Sequence, residues 1–97
     1  MAKEVAAVLQ DINQNIYTNV FSTRKKADKA VGDVILKRAE AGEIGHDPET
    51  VDEIKERHGK KDYAGVMATW NEWSIETEYR DEYAIEMRTV DAELPSS

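Results

Sequence analysis

WSIETEYRDEYAIEMRTV, residues 73–90, decides the fold, because it fits two patterns at once. Trp73, Ile75, Thr77 and Tyr79 alternate with Ser74, Glu76 and Glu78; after Arg80-Asp81-Glu82, Tyr83, Ile85, Met87 and Thr89 alternate with Ala84, Glu86 and Arg88. A period of two puts every odd position on one face of a strand. A helix would instead carry the stripe Ile75, Tyr79, Tyr83, Met87 and Val90. It would also stack Glu72/Glu76, Glu78/Glu82 and Glu82/Glu86 four apart, with only Glu76/Arg80 to offset them. Each such pair is worth a few tenths of a kcal/mol. The strand pattern therefore predicts a C-terminal hairpin, 73–79 with 83–90, in which Tyr79 pairs with Tyr83 and Thr77 with Ile85. Its costs are a turn without Gly or Asn and Glu76 facing Glu86. An unbroken helix, and with it an all-α bundle, is the alternative.

Working back toward the N-terminus, the periodicity predicts helices. Val5, Leu9, Ile12, Ile16 and Val20 recur every three or four residues, with Val8 beside them, and indicate an amphipathic helix over 3–21. Ser22-Thr23 offers a cap for a helix over 24–41, striped by Ala27, Ala30, Val31, Val34, Ile35 and Ala39 and stopped at Gly42. Arg24, Lys25 and Lys26 would then sit in the first turn, where the helix dipole disfavours cations. Either the two helices form one rod to about residue 41, or the basic patch serves an acidic partner. Asp47-Pro48 starts a helix over 48–58, ended by Gly59, and Asp62 caps another over 63–72. The expectation is an α+β domain over 1–90 with three to four helices, followed by a loose tail over 91–97.

Composition narrows the function classes. The 97 residues carry a net charge of −7 and no cysteine. Disulfides, thiolate metal sites and cysteine nucleophiles are thereby excluded. Residues 1–40 hold seven basic and five acidic side chains, residues 41–97 six basic and fifteen acidic. That layout disfavours nucleic acid, whose phosphates reward the opposite sign, and favours a protein with a basic surface. No apolar run reaches membrane-spanning length and no leader pattern opens the chain, so a cytoplasmic or otherwise intracellular location is expected.

Chemistry-bearing motifs are sparse. His46 and His58 are twelve apart and match no metal-ligand spacing, even with Asp47 and Glu49 beside His46. His46 is expected on a surface loop, His58 at a helix C-terminus. No nucleophile elbow or phosphate-binding glycine loop is present, and no enzyme activity, cofactor or metal is expected. The predicted role is a non-catalytic protein-binding module: an accessory subunit, an assembly factor, or an inhibitor of a basic partner. Glu76, Glu78, Asp81 and Glu86 would steer the partner and Trp70 or Trp73 would anchor it. Copies of the chain itself are the other candidate partner. Small acidic domains without cofactors are common among virus-encoded accessory and virion proteins, and that likeness of class extends the expectation to a viral accessory role.

One stretch points elsewhere. TVDEIKERHGKKDYAGVMATW, residues 50–70, resembles a repressor-type helix-turn-helix in Thr50, Glu53, Ile54, Gly59 and Val66. The resemblance implies a DNA-binding regulator, with Lys60, Lys61, Tyr63 and Thr69 toward DNA and the C-terminal hairpin as a wing. The sequence departs from that pattern at Lys55, where the family keeps a small residue, and in having six residues between Gly59 and Val66.

Overall fold

A computed structural model describes residues 2–45 and 47–91, so the expectations for His46 and for the tail beyond Asp91 lie outside the described residues. The chain is α+β. Two strands, β1 (Ala2–Ile12) and β2 (Asn15–Phe21), are followed by helices α1 (Arg24–Glu40), α2 (Pro48–Gly59) and α3 (Tyr63–Glu76), then β3 (Asp81–Asp91). The strands make one antiparallel sheet in the order β2-β1-β3. The all-α alternative is thereby set aside.

The predicted helix over 3–21 is a β-hairpin. Asn13 and Gln14 form its two-residue turn at φ 51° and 75°, the paired positive values a tight hairpin turn needs. Asp11 Oδ1 accepts from the Gln14 amide at 2.9 Å, and the Asn13 amide donates to the Arg80 carbonyl at 2.8 Å. One continuous rod to residue 41 is excluded too, because Thr23 breaks the chain in an extended conformation and accepts from the Lys26 amide to start α1.

The predicted C-terminal hairpin is half right. Its second strand exists as β3 but pairs with β1, matching Val8 to Ile85 and Gln10 to Tyr83. Its first strand is instead the last turn of α3. Magnitudes explain the outcome. Helix geometry buries Val66, Thr69, Trp70, Trp73 and Ser74 on one side. Burying one large apolar side chain is worth about 1.5–3 kcal/mol, far above a like-charge pair. Only Glu72/Glu76 of the feared acidic pairs falls inside the helix.

All three helices end alike. After α1, the Gly42 amide donates to Ala39 and the Glu43 amide to Arg38. Lys61 and Asp62 repeat this toward His58 and Arg57 after α2, as do Glu78 and Tyr79 toward Ile75 and Ser74 after α3. This is the Schellman arrangement, with a left-handed residue just past the cap. Glycine fills that position once, at Gly42 (φ 92°); Lys61 (φ 60°) and Glu78 (φ 57°) fill it at a conformational cost.

The core lies between the helices and one face of the sheet. Ala6 and Val8 of β1 and Tyr83 of β3 meet Ala27, Val31 and Ile35 of α1 and Val66, Trp70 and Trp73 of α3. Helix α2 packs on α1 and α3 but not on the sheet, and buries Ile54. Gly32 lets α1 approach α3, since a Cβ there would meet the Tyr63 ring. Among the described residues the other sheet face carries no helix. By register it holds Val5, Ala7 and Leu9 beside Ile16, Thr18 and Val20 of β2 and Ala84 and Glu86 of β3. Among the described residues, no helix is long and apolar enough to cross a membrane.

Candidate functional site

A shallow acidic groove lies between α2 and α3. The cap of α2 sets its first wall. Asp47 accepts from the Thr50 amide at 3.1 Å, and Pro48 follows where its missing N–H costs nothing. Thr50 and Glu53, three apart, then share one helix face. Asp62 caps α3 by accepting from the Gly65 amide at 3.0 Å, and Thr69, Glu72, Trp73 and Glu76 line up at spacings of three and four. These six residues enclose about 110 Å³. The floor is rigid: Trp73 is 8 % exposed and packs its ring 5.2 Å from Trp70 and 4.8 Å from Tyr79. Glu72 and Glu76 are exposed, and among the described residues neither has an ion-pair partner within 4 Å. Glu53 is held by Arg57 at 3.0 Å. The groove thus sets three carboxylates beside one aromatic side chain.

A second polar constellation is interior. Arg38 lies over the Trp70 ring, 4.4 Å from its centroid. It donates to Glu43 at 2.7 and 3.0 Å, to the Tyr83 hydroxyl at 2.8 Å, and to Asp81. Asp81, 4 % exposed, also accepts from Gln10 at 3.0 Å, while its carbonyl takes the Trp70 indole N–H at 2.6 Å. Burial works against the Arg38 charge, yet the hydrogen bonds it donates to Glu43, Asp81 and Tyr83 outweigh it and raise its pKa. The hydrogen bond from Arg38 holds Glu43 below its usual carboxylate value. Burial pushes the Tyr83 hydroxyl up. Among the described residues, no buried side-chain nitrogen or oxygen lacks a partner. The set ties α1, α3, β1 and β3 together and leaves no unsatisfied group aimed at a substrate. No three His, Asp or Glu side chains converge as metal ligands among the described residues.

The residues singled out in the sequence scatter. Trp70 is fully buried, and Asp81 faces Arg38 rather than solvent. Glu78 occupies the left-handed position after α3. Glu86 lies on the open sheet face beside Arg88, 2.9 Å away, on the side opposite the helices. The expected ribbon of Glu76, Glu78 and Glu86 is therefore not one surface. Of these residues Glu76 and Trp73 alone line the groove, with Glu53 and Glu72. Helical spacing of Glu53, Glu72 and Glu76 carries that signal in the sequence, once α3 is extended to residue 76.

The basic patch also divides. Arg24 pairs with Asp28 at 2.9 Å and Lys26 reaches the Ser22 hydroxyl at 3.1 Å. Lys25 borders a depression of about 390 Å³ with Lys29, Lys61 and Tyr63. His58 sits 2.8 Å from Asp33 and edge-on to Tyr63. The residues of the helix-turn-helix resemblance are turned inward in part: Thr69 is buried and Tyr63 packs on Gly32. Helix α3 contains no Lys or Arg, and β3 joins β1 rather than forming a wing. No protein family, curated protein or solved structure matches this chain.

Proposed function

We propose that the chain is a non-catalytic protein-interaction module, an acidic accessory subunit, assembly factor or inhibitor that docks a basic partner. The α2–α3 groove takes a Lys or Arg side chain of that partner. The observation that supports this most is that Glu53, Glu72 and Glu76 line one groove together with Trp73. A cation seated there gains from the carboxylates, of which Glu72 and Glu76 have no ion-pair partner among the described residues. The net charge of −7 draws basic surfaces in from a distance, and a surface built for phosphate is one that such a module occupies. An intracellular setting, which suits a chain without cysteine, belongs to the same proposal.

The test is binding to a Lys/Arg-rich peptide, followed by calorimetry over a salt series. Wild-type affinity falls as salt rises, and Glu72→Lys/Glu76→Lys lowers it at least tenfold, about 1.4 kcal/mol. Glu86→Lys, on the opposite side of the molecule, changes it little. Equal losses from the groove pair and from Glu86→Lys would reduce the interaction to unspecific charge attraction and remove the groove from the proposal.

A further inference from the structure

The two edges of the sheet differ. Strand β3 carries Glu82, Glu86 and Arg88, charges that discourage another strand from adding there. Strand β2, NIYTNVF, has no charged side chain and no proline, and six of its seven residues are exposed. Ile16 is 57 % exposed, Tyr17 57 % and Val20 60 %. Among the described residues its outer backbone edge has no neighbouring strand, since β2 ends the order β2-β1-β3. A long, uncharged, apolar edge is the kind natural sheets usually protect, and here it is left bare.

We propose that a second copy of this chain adds to β2, antiparallel about a two-fold axis through Thr18, to make one continuous six-stranded sheet. About the midpoint Thr18, the apolar residues Ile16 and Val20 occupy equivalent positions. Antiparallel pairing centred on Thr18 sets Ile16 of one copy against Val20 of the other on the open face, and Thr18 against Thr18. On the helix face it sets Tyr17 against Asn19. Each contact occurs twice, as an isologous interface requires.

Two further observations bear on a second copy as the occupant. Charge is the first. Two chains of net charge −7 repel, and β2 is a strand along which they meet with no carboxylate face to face. Shape is the second. Between β2 and α1 lies a cleft of about 90 Å³, lined in part by Asn19, Phe21 and Val34, with Val34 44 % exposed. Tyr17 of the second copy, paired beside Asn19, brings its ring to the mouth of that cleft. The inference is independent of the acidic groove, which lies on other elements.

Absolute mass by light scattering tests it, on the full chain from about 1 μM to about 1 mM, the range in which weak and moderate association appears. The mass is expected to rise toward twice 11.0 kDa with concentration. Thr18→Lys alone and Thr18→Glu alone place like charges together on the axis and should each weaken association at least tenfold. An equimolar mixture of the two should restore the doubled mass, because Lys then faces Glu. Ile16→Asp, at an exposed position, gives a second disruption should a Thr18 variant lose its fold. A wild-type mass of 11.0 kDa at the highest concentration overturns the proposal. So does doubling that persists in both Thr18 variants, which locates the contact on the open face or the helices. Failure of the mixture to recover the dimer overturns the two-fold register.

Discussion

Replacing Arg38 by Met tests whether the interior network is held by pairing rather than by packing. Met keeps much of the side-chain bulk but removes every donor. Asp81, 4 % exposed, would retain only the Gln10 amide at 3.0 Å and would lose its counter-charge. Breaking one partner of a buried pair costs about 3–5 kcal/mol, because the remaining charge is stranded. Glu43, with its side chain 32 % exposed, can turn to water and adds little to that loss. A domain of this length has about 5–15 kcal/mol in total, so the variant should lose a large fraction of it. At a urea slope of about 2 kcal/mol per M, a loss of about 4 kcal/mol moves the unfolding midpoint down by about 2 M. Arg38→Met/Asp81→Leu removes the stranded carboxylate as well, and should be more stable than Arg38→Met alone. Urea titrations followed by tryptophan fluorescence at pH 7 give all the values, since Trp70 packs against the guanidinium. A midpoint for Arg38→Met within about 0.3 M of wild type, or a double variant no more stable than Arg38→Met alone, would refute the assignment of the network as a charge-paired clamp.

Other consequences follow from backbone and charge. Gln14→Gly and Glu78→Gly each place glycine where φ is already 75° or 57°, and each should raise stability by about 0.5–1 kcal/mol in the same titrations. Glu43→Gln should alter the acid limb of stability. The Glu43 carboxyl is held below its ordinary value of 4.5 in the folded chain, so its contribution is present above pH 4.5 and lost as pH falls through the depressed value. The variant should therefore be weaker than wild type at pH 7, and the two should converge in the acid range. Parallel curves from pH 7 to pH 2 would show that Arg38 does not hold Glu43 in solution.

The helices were legible because their signals are local. Thr23, Asp47 and Asp62 cap α1, α2 and α3 where the sequence places them, and Gly42 stops α1. The end of α3 was not legible, because Glu78 takes a left-handed conformation that no residue type there announces. A glycine at 78 would have closed the helix on paper and freed Tyr83–Val90 to seek another strand. Reading 73–79 as a strand also displaced the acidic residues. It gathered Glu76 and Glu86 on one ribbon, whereas the helix turns Glu76 toward Glu72 and Glu53.

The N-terminal hairpin was hidden by a coincidence of register. The two-residue turn pairs Asp11 with Ile16, Leu9 with Thr18 and Ala7 with Val20, so odd positions of β1 share a face with even positions of β2. Apolar residues on that face then fall at 5, 9, 16 and 20, with spacings of four, seven and four that imitate a helical stripe. The residues that do enter the core, Ala6 and Val8 of β1, are fewer and smaller than those on the open face. An amphipathic helix would have turned Val5, Leu9, Ile16 and Val20 inward; the hairpin turns them outward. The mistaken helix and the bare sheet face thus have one origin. Ile16 and Val20 stay on the surface, 57 % and 60 % exposed, and the proposed strand addition at β2 would give them a partner without bringing carboxylates together.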